Sequence, residues 1–199
     1  MEITNVGESG HTVGVVKIEM DQFGKDAVLI GADAGARARI EIERSIEKLV
    51  DDQAVLLDFR HVLAVSVPFV DASIGRLLGG RVAGYYDTHP IVIYRASIDV
   101  VQTIDAMLRL HHLYALALGG ETGAELLGAD DVLTSTLQEA VRLRTFNVHQ
   151  LAERLGLTPQ AANNRLRLLL RSGAVQRERA KPERGHGGRE FRYTVPATA

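Results

Sequence analysis

Four polar side chains, Gln160, Asn164, Arg167 and Arg171, recur three or four residues apart late in the chain. At about 100° per residue, that spacing places them on one side of a helix, with Asn163 at its edge. These residue types can read base edges: Arg donates two hydrogen bonds to guanine, and Asn or Gln pairs bidentately with adenine. The other side carries Ala162, Leu166, Leu169 and Leu170, which suits packing on further helices. Leu168 falls on the exposed side, where it could meet a thymine methyl or a partner chain. Downstream, Arg177, Arg179, Lys181, Arg184 and Arg192 are better suited to phosphates or a narrow minor groove than to base edges. The plain alternative for both sets is a solvated polar face.

Other chemistry finds little support. Cys is absent, which excludes a thiolate nucleophile, a disulfide framework and a Cys-based zinc site. There is no Gly-x-Ser-x-Gly elbow, no Walker loop and no His-Glu-x-x-His. The run Gly31-Ala32-Asp33-Ala34-Gly35-Ala36-Arg37 precedes a helix and could hold an anion or nucleotide, or serve as a connecting turn. His111 and His112 point to different helix faces and make a poor chelate. Asp51-Asp52 and Asp130-Asp131 read as solvated helix ends. The expectation is a non-enzyme without catalytic residues, metal site or cofactor.

The elements that position the basic face have local start and stop signals. Asp130–Arg144 is a helix with Val132, Leu133, Leu137, Ala140 and Val141 on one face. Asn147 caps a short helix from Val148 to Leu155, which Gly156 ends. Thr158 at the N-cap and Pro159 at the first position launch the next helix, which runs to about Ser172 before Gly173. Ala174–Arg179 and Arg189–Val195 read as strands around a Gly- and Pro-containing turn.

Two helices on a tight Gly turn, followed by a hairpin, make a winged helix-turn-helix pattern. The motif is Gln150-Leu151-Ala152-x-x-Leu155-Gly156-Leu157-Thr158, then Ala161-Ala162, Arg165-Leu166-x-x-Leu169-Leu170 and Gly173. It resembles the winged helix-turn-helix domains of bacterial transcription regulators of the MarR and ArsR type. The resemblance covers Val148–Tyr193 and implies binding of double-stranded DNA through Thr158, Gln160, Asn163, Asn164, Arg167 and Arg171. Asn163 stands where Ser or Thr is common in that pattern, and the loop after Arg179 is long.

Upstream, short apolar runs alternate with helical patterns. Val13–Met20, Ala27–Ile30, Ala54–Phe59, Pro90–Tyr94 and Leu113–Leu118 read as strands. Helices are expected over Ala36–Val50, from Pro68 to about Tyr85, and over Ile98–Leu110. This alternation implies crossover units and a mainly parallel sheet. Gly119-Gly120 and Glu121–Gly128 read as boundary material.

The run Val55-Leu56-Leu57-Asp58-Phe59-Arg60-x-Val62, with Ser66-x-Pro68-Phe69-x-x-x-x-Ile74-Gly75, resembles a STAS-like domain. That superfamily includes antagonists of anti-sigma factors. It implies a small α/β domain that binds partner proteins and sometimes nucleotides. Asp58 is expected to hydrogen-bond the loop after its strand. Phosphorylated members carry Asp-Ser-Ser-Gly where this chain has Ser66-Val67-Pro68-Phe69. Ser66 and Ser73 are the serines left for such a switch, against plain roles as helix cap and packed side chain.

The length of 199 residues allows one or two domains, and 46% hydrophobic with 24% charged residues excludes a fully disordered chain. No apolar run reaches the length of a membrane span and no signal pattern opens the chain, so a cytoplasmic location is expected. The net charge of −2 hides a split. Residues 1–129 carry 11 basic and 18 acidic side chains, a balance of −7; residues 130–199 carry 12 and 7, a balance of +5. The expectation is therefore an α/β STAS-like domain over 1–125 and a winged helix-turn-helix (α+β) over 126–199. The leading function is a DNA-binding transcription regulator, expected as a homodimer because palindromic half-sites double specificity. The N-terminal domain would sense a signal or bind a regulatory protein. The alternative is a protein-interaction adaptor whose winged helix only builds an interface.

Overall fold

The computed structural model describes residues 15–50, 53–85, 89–120, 123–179 and 191–195. Its centre is a five-stranded sheet in the order β1-β3-β5-β6-β7. The strands are β1 (Val15–Glu19), β3 (Ala54–Asp58), β5 (Ile91–Tyr94), β6 (Ala115–Gly120) and β7 (Gly123–Leu127). The first four are parallel to their neighbours, and β7 pairs antiparallel with β6. A two-stranded parallel ribbon, β2 (Val28–Leu29) with β4 (Ala64–Val65), lies outside this sheet.

Helix α1 (Ala32–Ile46) connects β1 to β3, α2 (Val67–Val70) and α3 (Arg76–Val82) connect β3 to β5, and α4 (Ile98–Leu110) connects β5 to β6. Each crossover moves one step in the same direction along the sheet. Right-handed crossovers then put all of these helices on one face. The side chains agree: Val55, Leu57, Ile91, Ile93 and Ala117 join Ile42, Phe69, Leu77 and Ile104 in one buried cluster.

The alternate residues of the same strands point the other way. Val92, Leu116, Leu118 and Leu126 join a second buried cluster with Leu133, Leu137, Phe146, Leu151, Leu166 and Leu169. The C-terminal helices thus cover the sheet face that the crossovers leave bare. Consecutive Leu126 and Leu127 each serve a different layer.

Three readings of the sequence are corrected. Residues 123–127 are a strand, not boundary material: the flanking glycines turn the chain back on β6, and Ala115 stands opposite Leu127. The helix expected from Pro68 is interrupted by a π-turn at Asp71–Gly75, where Ser73 Oγ donates to Phe69 O at 2.6 Å. Helix α1 starts at Ala32 and ends at Ile46, earlier at both ends than its apolar spacing suggests. Asp51-Asp52 lie outside the described residues.

Candidate nucleic-acid interface

The C-terminal elements are α5 (Asp131–Leu143), β8 (Thr145–Phe146), α6 (Val148–Leu155), α7 (Pro159–Ser172), β9 (Gln176–Arg179) and β10 (Phe191–Thr194). The three strands form an antiparallel sheet in the order β8-β10-β9. Phe146 and Tyr193 stack across it at 5.8 Å.

Helix ends follow the local chemistry. Asp130 accepts from Leu133 N, and Asn147 and Gln150 form a reciprocal capping box on α6. Gly156 ends α6 in the left-handed region. Thr158 Oγ1 then accepts from Ala161 N at 3.2 Å, and Pro159 opens α7. Thr158 is exposed, and its hydroxyl proton stays free to donate to a phosphate.

Helix α7 buries Ala162, Leu166, Leu169 and Ser172. Gln160, Asn164, Arg167 and Arg171 are exposed on the opposite side, and Asn163 is half-buried. Arg165 fixes the rotation: its Nη1 donates to Thr136 Oγ1 on α5 at 3.3 Å. Glu139 of α5 pairs with Arg142 on its own helix and with Arg154 of α6, tying α5 to α6.

The hairpin divides its basic residues. Directly opposed residues of an antiparallel pair share a face. Arg177 stands opposite Tyr193 and Arg179 opposite Phe191, so both lie on the face that holds the aromatics. Arg192 stands opposite Glu178 on the other face. The Arg177 guanidinium sits 4.5 Å from the centre of the Phe191 ring, which holds its charge in place. Arg179 and Arg192 are exposed. Lys181 and Arg184 lie outside the described residues.

Leu168 departs from its expected place. It is half-buried and lines a cavity of about 120 Å³ with Leu78, Val82, Leu113 and Tyr114, because the α/β half meets α7 at its C-terminal end. Arg171 lines the same cavity and marks the limit of the open face.

One residue at this junction has no sequence signal. Arg81 of α3 is buried, with 7% of its surface exposed. Its Nε donates to Arg171 O at 3.1 Å, Nη2 to Leu170 O at 3.4 Å, and Nη1 to His89 O. No spacing rule announces it, because two of its partners lie about 90 residues away.

The remaining sequence-level sites are engaged within the chain. Gly31 N, at the start of α1, donates to Ser66 Oγ at 3.1 Å, and Phe69 N donates to the same oxygen at 3.3 Å. Ser66 is thus a helix cap, and Ser73 is fully buried. Asp58 Oδ1 accepts from Arg60 N at 3.0 Å, as expected for the loop after its strand, while Oδ2 pairs with Arg95 and lies 3.8 Å from Lys17 Nζ. His111 Nε2 lies 3.2 Å from Asp71 Oδ1. Among the described residues, no group of three His, Asp or Glu could hold a metal ion, and no helix is long and apolar enough to cross a membrane.

No protein-family model, curated protein or solved structure matches this chain.

Proposed function

We propose that the chain is a DNA-binding transcription regulator whose helix α7 reads duplex DNA in the major groove. The observation that carries this is the division of α7. Ala162, Leu166 and Leu169 dock it, while Gln160, Asn164 and Arg167 stand in solvent on the far side. A capped helix held by its apolar side, with bidentate donors facing out, suits groove entry. The element order, three helices with a short strand between the first two and a hairpin after the third, supports the winged-helix reading. Arg179 and Arg192, on opposite faces of the hairpin, suit contacts with the phosphate backbone.

In this reading, the α/β half is a STAS-like sensing or partner-binding unit, and the chain acts in the cytoplasm as a homodimer on paired half-sites. The mechanism is occupancy, without catalysis. A gel shift of the full chain with genomic fragments at moderate salt tests it. Discrete retarded fragments support the reading, and uniform free mobility contradicts it.

The adaptor reading is favoured by one observation. Ile30, Leu63 and Val67 are 67%, 70% and 51% exposed, and they flank the paired strands β2 and β4. An apolar set of that kind suits a protein partner. A stable co-purifying protein without any DNA retardation would favour the adaptor.

A further inference from the structure

We infer that Arg81 is a positioning residue through which the α/β half sets the alignment of α7. This rests on the reading of α7 as the helix that faces DNA.

The last carbonyls of a helix have no partner within it. On α7 Arg171 O accepts from Arg81, and Leu170 O accepts from Arg81 beside the Gly173 N–H that already caps it at 3.1 Å. A cation at this end also meets the negative pole of the helix dipole. A buried guanidinium is costly unless its donors are satisfied. Here the fork is shared between α7 and His89 O, just ahead of β5. One side chain therefore joins α3, the approach to the central sheet and the end of α7. Planar, directional donors hold an angle as well as a distance.

The reading face ends at Arg171, whose own carbonyl is in this grip. A swing of α7 about its N-terminal cap would break the Arg81 bonds first. It would move Arg167 and Asn164 relative to the hairpin without removing any surface charge. Phosphate attraction depends on that charge, whereas base reading depends on placement. Loss of Arg81 should thus separate the two.

The test compares wild type, R81K and R81Q as full chains. Each is measured on its selected duplex and on a random duplex, at a temperature where circular dichroism shows a folded chain. Hydrogen exchange of the last-turn amides of α7 is read in parallel. R81Q is expected to bind the selected duplex about tenfold more weakly, the loss of one or two charge-assisted hydrogen bonds. Its affinity for the random duplex stays unchanged, and its last-turn amides exchange faster. R81K, which keeps the charge but not the fork, falls between. Should R81Q not fold, R81K carries the same comparison. Parallel loss on both duplexes, or unchanged affinity with unchanged exchange, overturns the inference. If wild type binds no duplex, the DNA reading fails by itself and exchange decides the rest. Faster exchange then keeps Arg81 as the residue that positions α7, and unchanged exchange removes it.

Discussion

The guanidinium of Arg81 lies tight against the position that a Cβ at Gly173 would take. A Cβ at residue 173 would lie 3.1 Å from Arg81 Nη2 and 3.1 Å from Pro90 Cα. Gly173 also has φ of 75°, in the left-handed region. Glycine is favoured there twice, by conformation and by close approach. Gly156 has φ of 64° and open space around it, so only the first reason applies. Gly156→Ala should cost ~1–2 kcal/mol from the backbone alone. Gly173→Ala should cost more, by denaturant midpoint, and the excess should shrink in an Arg81→Ala background. Equal costs at the two glycines would contradict the contact.

Arg167 is exposed in the middle of the open face of α7. Arg167→Ala should cost about 1–3 kcal/mol on a selected duplex and relax preference at one base pair. Binding isotherms on the selected duplex and its single-base variants check this. Equal losses on selected and random duplexes would refute base reading by Arg167.

Arg179 ends β9 on the exposed hairpin. Arg179→Ala should weaken binding by a similar factor on every duplex. It should also reduce the slope of log affinity against log salt by about 0.9, the value for one phosphate contact. A change in sequence preference without a change in slope would contradict that role.

Leu116 is fully buried in the cluster that joins the central sheet to Leu133, Leu137 and Leu166. Because that core spans both halves, the chain should unfold in one calorimetric transition. Leu116→Ala should lower that transition as a whole, at a cost of about 2–5 kcal/mol. Two separate transitions, of which only the first moves, would contradict a shared core.

Much of this arrangement was legible where the signals are local. Asn147, Gly156, Thr158, Pro159 and Gly173 delimit α6 and α7 as their chemistry suggests. The apolar spacing of Val101, Ile104, Met107 and Leu108 locates α4, although Val100 is fully buried there and Val101 only half-buried. The orientation of Gln160, Asn164 and Arg167 follows from the same periodicity. What was not legible depends on partners. Strand β7 has only two strong apolar residues and borrows its pairing from β6. The split of Arg177 and Arg179 from Arg192 needs the register of the hairpin, which alternation alone does not supply. Helix α1 begins at Ala32 after Gly31, a residue without a side chain to announce a cap. Arg81 looks like any helical arginine until α7 is placed against it.

The most direct measurement is selection of bound sequences from a random duplex library by the full chain, with Arg167→Ala run beside it. Base reading by α7 predicts a recurring short motif, in paired copies if the chain dimerises, with preference lost at one position of each copy in the variant. Recovery of an unenriched library by the folded wild-type chain would contradict it.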